Sequence, residues 1–302
     1  MPRSSWAKII RSVFRNRQAR AGYLFVLPSI LVLSVFVIWP IIQAVWLSLH
    51  DWNPLIPEHP FIGLSNYRQL FADSRFWNAL WNTLYYTLGV VPARVVFSLF
   101  LAVILTQKLR GTTFFRAVYF LPAIGSFAIL AIAWKFLMDP DIGIISYYSR
   151  LLHLPSSEWL RSTTWAMPAV ILVGIWKWLG FTMVILIAAL QGIPESLYDA
   201  AKVDGAGPWQ CFRYITLPML RPALLFVVAD SIISSFQVFD QVYVMTGGGP
   251  LFSTETLVLY TYYQGFEFFN MDYASSIAWI LFLLVFGVTF LQLRYFRFRE
   301  AY

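Results

Sequence analysis

Three charged residues stand inside otherwise apolar runs of this chain: Arg94, Lys177 and Asp230. A charge at membrane depth costs roughly 2.5–3.5 kcal/mol on insertion scales and normally faces a bundle interior or a water-filled cavity. The groups around them suit a polyhydroxyl ligand. Trp176 and Trp178 flank Lys177 and offer aromatic faces, a common surface for sugar rings, with Gly180 two residues further on. Ser231, Ser234 and Ser235 share one side of a run that continues through Gln237 to Asp240. These serines could equally make helix–helix contacts, as small polar residues do in membranes. The chemistry on offer is binding and passage. Gly247-Gly248-Gly249-Pro250 lacks the Lys and the following helix of a phosphate loop, and the chain holds no HExxH, no GxSxG and no facing carboxylate pair. His50, His59 and His153 have no ligand spacing, and the single cysteine, Cys211, excludes an internal disulfide or a cysteine metal cluster.

The elements that must position these residues follow from composition. Of 302 residues, 59% are hydrophobic and only 12% are charged, against about 25% charged in an ordinary soluble domain. The expected class is an all-α polytopic membrane protein. A basic tail, residues 1–20, precedes a six-helix unit over 21–302. Ala21–Leu49 holds no charge over 29 residues, too long for a signal-peptide core of 7–15, and reads as the first span. Further spans are expected within Trp77–Gln107, within Ala117–Met138, and at about Trp165–Leu190, Leu217–Val238 and Ala274–Phe296. Each reaches the roughly 20 residues needed to cross.

Charge orients them. With the N-terminus inside, fifteen of the 22 Lys and Arg fall on the inner side and four (Arg68, Arg75, Arg150, Arg161) on the outer. The bias places both termini and the loop 191–218 in the cytoplasm. It also gives the net charge of +7 a membrane meaning, with no nucleic acid implied. Lys177 and Asp230 then lie at similar depth on consecutive spans, which are often neighbours. The expected ion pair is Lys177–Asp230, with Arg94 as the rival partner.

The loop QGIPESLYDAAKVDGAGPWQCFRYITLP, Gln191–Pro218, is the longest polar interruption of the second half. Pro194 suits a first helical position, Glu195 the positive end of the dipole, and Gly205 the left-handed residue that ends a helix. A helix of about 11 residues, roughly 16 Å long, is expected between them. Leu197, Ala200, Ala201 and Asp204 share one side, and Glu195, Asp199 and Lys202 another. It is too short to span a bilayer, so it must lie along the membrane face.

These residues carry a resemblance. Asp199-Ala200-Ala201, three residues, Gly205, nine residues and Ile215-x-Leu217-Pro218 resemble the EAA loop of permease subunits of binding-protein-dependent ABC importers. IPESLYDAAKVDGAG is similar to the carbohydrate-uptake branch. FIGLSNYRQLF, NTLYYT, YFLPAIGSFAILAIAW and FDQVYVMTGGGP extend the likeness toward maltose and glycerol-3-phosphate type permeases. Asp199 stands where the motif most often has Glu, keeping the charge with a shorter reach. The resemblance implies a type I importer fold with its core at about residues 77–296. It makes Pro194, Glu195, Leu197, Tyr198, Asp199, Ala200, Ala201, Asp204 and Gly205 the coupling helix that meets an ATPase. It puts the fifth-span half with Ser231, Ser234, Ser235, Gln237 and Asp240 along the solute path, to which the depth and residue types of Lys177, Trp178, Gly180 and Asp230 add a floor. The implied partners are a second, homologous permease, two ATPase subunits that bind the ATP and magnesium, an extracytoplasmic solute-binding protein and membrane lipid, in the cytoplasmic membrane of a prokaryote. No cofactor and no metal is expected on this chain. The alternative, an ion-coupled secondary transporter, calls for two related halves that the sequence lacks, and an intramembrane enzyme lacks its catalytic set. A neutral oligosaccharide, a polyol and a glycerophosphodiester all remain compatible with the path residues.

Overall fold

The computed structural model describes residues 17–52, 57–107, 110–153 and 158–297. The basic residues Arg3, Lys8, Arg11, Arg15, Lys108 and Arg299, used above to orient the chain, lie outside them. The described residues are helical with one isolated bridge, His50–Phe61, and no strand. In order they form α1 (Ala21–Ser48), α2 (Ser65–Ala72), α3 (Ser74–Thr106), α4 (Thr112–Ile124), α5 (Phe127–Leu137), α6 (Ile144–Leu151), α7 (Ala166–Gln191), α8 (Glu195–Val203), α9 (Pro208–Met219), α10 (Arg221–Phe236), α11 (Asp240–Met245), α12 (Leu257–Tyr262) and α13 (Met271–Arg297).

Four helices, α1, α3, α7 and α13, are long and apolar enough to cross a membrane. The count reaches six if each of two bent pairs is one span. The third span, expected as one helix, is broken. α4 and α5 meet at 101°. Gly125 and Ser126 between them are extended, and Pro122 removes a backbone donor from the last turn of α4. The fifth expected span bends by 67° at Leu220, between α9 and α10. The chain after it, where Gly247-Gly248-Gly249-Pro250 suits a turn or re-entrant bend, carries the short helices α11 and α12.

Three apolar clusters hold the bundle. Val170, Val173, Tyr86 and Val242 join α7 to α3 and α11. Toward the 191–218 loop, Met183, Leu186, Ala102 and Val227 join α7 to α3 and α10. At the opposite end Leu70, Phe76, Leu257 and Ile277 join α2, α3, α12 and α13. The α3–α7 pair is the most extensive contact in the molecule. Its central position explains why Arg94 of α3 and Lys177 of α7 are among the most enclosed charges. α1 has no buried residue in its apolar window, but its last turns pack on α13 and bury Ser48.

Candidate functional site

Lys177 and Asp230 do not pair. Asp230 Oδ2 accepts from Arg94 Nη2 at 2.7 Å. Arg94 Nε donates to Thr182 Oγ1 at 2.6 Å, and its Nη1 to Ser234 Oγ at 3.2 Å. Arg94 is 1% exposed. The pairing follows from helix order: α3 packs on both α7 and α10, so its side chain reaches Thr182 on one and Asp230 on the other.

Lys177 serves the broken span. The C-terminal carbonyls of a helix have no partner within it, and the break after Ile124 leaves such groups inside the bundle. Lys177 Nζ donates to the oxygens of Pro122 at 2.6 Å, Ala123 at 3.1 Å and Gly125 at 2.5 Å. It also stands over the rings of Phe127 and Trp178, at 5.6 and 5.5 Å. Gly180 belongs to the same junction. A Cβ there would fall 1.9 Å from the Tyr119 oxygen, so glycine lets α7 lie against the α4 backbone.

Of the residues expected along a solute path, Trp178, Ser234, Ser235, Gln237 and Asp240 line one cavity of about 310 Å³, together with Tyr86, Val90, Arg94, Phe127, Val238 and Phe239. Lys177, Gly180 and Asp230 are not among its lining residues. Ser231 is fully buried and donates to the Val227 carbonyl of its own helix at 2.6 Å, so it does not share the cavity face with the other serines. Trp176 turns away and packs edge-to-face on Trp134, 5.3 Å between rings. The sequence reading missed Tyr86, which accepts a hydrogen bond from Gln241, and Thr182. A polar residue in an apolar helix was the available signal for both.

The 191–218 loop takes a locally determined shape. α8 runs from Glu195 to Val203, nine residues, with Pro194 as its extended N-cap. Pro194 thus precedes the first helical position instead of filling it. The C-terminus is a complete Schellman motif. Gly205 N donates to Lys202 O at 3.0 Å, Ala206 N donates to Ala201 O at 2.9 Å, and Gly205 has φ +78°. Asp199 and Lys202 pair at 3.0 Å on one exposed side, and the Asp199 hydrogen bond holds the ammonium above its usual pKa range. Glu195 and Asp204 are also exposed. No residue of α8 is buried. Its other side leaves Leu197 40% exposed, with Ala200 open beside it and Ala201 partly covered. Tyr198 hydroxyl meets Thr216 Oγ1 at 2.9 Å, and this holds α8 to the foot of the fifth span.

At the far end of the bundle, the loop after α11 is tied to the start of α3. Arg75 grips the fully buried Glu255 through Nε at 2.8 Å and Nη2 at 2.7 Å. Asn78 and Asn82 both donate to the Phe252 oxygen at 2.8 Å. Asp73 accepts from the hydroxyls of Tyr260 and Tyr273. Burial pushes the Asp73 carboxyl up, but these hydroxyls and the amides of Arg75 and Phe76 outweigh it and hold the group below its ordinary value. Burial and the Asp73 carboxylate push the Tyr260 hydroxyl up to about 12.

Residues 61–299 match the family described as binding-protein-dependent transport system inner membrane component. The trehalose/maltose transport system permease protein MalF of Thermococcus litoralis is 34% identical, over 96% of this chain and 98% of its own length. The sn-glycerol-3-phosphate transport system permease protein UgpA of Yersinia pestis is 34% identical, over 90% and 92%. In fold, the chain is similar to a bacterial ABC transporter involved in the import of the acidic polysaccharide alginate, with a TM-score of 0.82 at 21% identity, over 96% of this chain and 98% of that one. By the family match and these two relatives, the chain belongs to the permease subunits of binding-protein-dependent ABC importers.

Proposed function

We propose that this permease forms half of the membrane path for a sugar or a related polyhydroxyl solute, and that α8 is its contact with an ATPase. One observation carries the second part: a short, well-capped helix between α7 and α9 keeps its Leu197 and Ala200 side uncovered. A helix with an apolar stripe buries it against something, and here that surface belongs to another chain. Solute passes along the cavity of Trp178, Ser234, Ser235, Gln237 and Asp240, where one aromatic face and several hydroxyl and amide groups converge. The names of the two relatives support a sugar or glycerol-phosphate type of cargo.

In this reading the chain pairs with a second, homologous permease, and two ATPase subunits carry ATP and magnesium. A solute-binding protein delivers cargo at the end where Arg75 grips Glu255. The 191–218 loop and both termini face the cytoplasm, as the basic residues favour. Orientation is tested in a Cys211→Ser background by labelling intact cells with a membrane-impermeant maleimide. Ser65→Cys should react and Trp209→Cys should not, until the membrane is opened. The reverse pattern would put α8 on the wrong side for an ATPase and overturn the proposal.

A further inference from the structure

The break between α4 and α5 and the wall of the cavity share one side chain. Lys177 is buried and makes no ion pair among the described residues. An ammonium has three N–H donors, and the carbonyls of Pro122, Ala123 and Gly125 match all three. Pro122 and Ala123 lie in the last turn of α4. Gly125 stands in the extended junction, two residues before Phe127 opens α5. α4 lies along α7, where Gly180 admits its backbone. α5 touches α7 only slightly and packs on α11. The bond from Lys177 to Gly125 therefore ties the first turn of α5 to α7.

Two aromatic walls of the cavity sit at the ends of this tie. Phe127 begins α5, and Trp178 follows Lys177 on α7. Both line the cavity, and Lys177 does not. The ammonium lies over both rings, at 5.6 and 5.5 Å, within the range of cation–π attraction. The Trp178 ring also has the Arg94 guanidinium over it at 5.5 Å and meets Phe181 edge-to-face at 5.9 Å. We propose that Lys177 is a positioning residue for the solute path. It does not meet the solute. It fixes the α4–α5 junction to α7 and so sets the spacing of Phe127 and Trp178. Aromatic walls with a few placed polar groups are the usual make-up of a small-ligand site, and their spacing decides which ring fits. This rests on the cavity being the solute path.

The test uses the purified assembled complex in a Cys211→Ser background carrying Phe127→Cys and Trp178→Cys. Bis-methanethiosulfonates of graded spacer length bridge the pair, and the intact mass of the permease reports the internal crosslink. Yield is scored per assembled complex, so a loss of stability alone does not change it. With Lys177 present, one spacer should dominate. Lys177→Met should lower the yield with that spacer about tenfold, since proximity falls steeply with misplacement, and spread product over longer spacers. Lys177→Arg keeps several donors for the carbonyls and should restore most of the yield. If the Lys177→Met complex does not assemble, Lys177→Gln, with two N–H donors left, should show a smaller fall in the same direction. An unchanged spacer preference and yield in Lys177→Met or its Gln substitute would overturn the role given to Lys177. So would a loss in Lys177→Arg as full as that in Lys177→Met. Either result leaves the path reading standing. If neither cysteine reacts with a monofunctional methanethiosulfonate while Ser65→Cys does, the cavity is not a water-accessible path, and both readings fall.

Discussion

The 191–218 loop and the charged cavity are built in opposite ways. In the loop, every bond that shapes α8 closes over a short stretch: three residues for Asp199–Lys202, five for Ala206 to Ala201, eighteen for Tyr198–Thr216. In the cavity, Arg94 reaches across 88 residues to Thr182 and 136 to Asp230, and Lys177 reaches 55 to Pro122. The loop is exposed and leaves its Leu197 and Ala200 side uncovered. The bundle satisfies its buried cations, Arg94 and Lys177, from within. An exposed helix can be fixed by local capping alone. A charge inside the bundle must be matched by whichever helices happen to pack beside it.

The largest expected effect breaks the cavity side. Asp230→Leu strands Arg94, and losing one partner of a buried pair costs about 3–5 kcal/mol, less here because Asp230 is 37% exposed. About 2–4 kcal/mol of lost stability is expected, read as a fall in assembled complex. Arg94→Met with Asp230→Leu should recover much of it. A double-mutant cycle of Lys177→Met with Asp230→Leu should be additive. Strong coupling in that second cycle and none in the first would reverse the pairing described here.

Next in size is the loop. Gly205→Val places a β-branched residue at φ +78°, although nothing lies within 4 Å of the added Cβ. The cost is backbone strain alone, about 1–3 kcal/mol, and it falls on the cap that ends α8. The chain should reach the membrane in normal amount but lose ATPase docking and uptake. Gly205→Asn, which tolerates left-handed backbone better, should keep most of both. Equal loss in the two variants would point to a need for bare backbone at the partner surface instead of strain.

A smaller effect concerns the Asp73 tether. The folded carboxyl lies below its ordinary value, so its contribution is fully present above the unfolded pKa of about 3.9 and is lost as pH falls through the lower folded value. Amide exchange in residues 257–273 should therefore stay flat from pH 7 to pH 5, after correction for intrinsic rates, and rise only below about pH 4. Asp73→Asn should remove that acid step. Asp199→Ala sits at the bottom of the scale. Its ion pair is about 70% exposed on both sides, such pairs contribute little, and uptake should fall by less than about twofold. A loss as large as that of Gly205→Val would make Asp199 itself a contact with the ATPase.

The same contrast governs what could be read from the residues. Pro194, Glu195 and Gly205 announced α8 to within two residues because capping is a local property. The long apolar runs gave α1, α3, α7 and α13 for the same reason. The break at Gly125–Ser126 was not legible, since an apolar run of 22 residues satisfies the length rule whether or not it is straight. Missing that break is what left Lys177 without its true partners, the carbonyls of Pro122, Ala123 and Gly125. Lys177 was then assigned to Asp230 on depth and chain order. The serine face failed more narrowly: Ser231 satisfies itself on Val227, a choice that helical spacing does not reveal.

The central claim is that the uncovered side of α8 meets an ATPase subunit. Leu197→Cys in a Cys211→Ser background, carried in the purified complex and treated with a short photoactivatable maleimide, tests it most directly. The account predicts one crosslinked species combining the permease and an ATPase subunit, weakened by Gly205→Val and missing when the reagent is placed at Ser65→Cys. A Leu197→Cys product with the solute-binding protein, or with lipid alone while the ATPase remains bound, would contradict it.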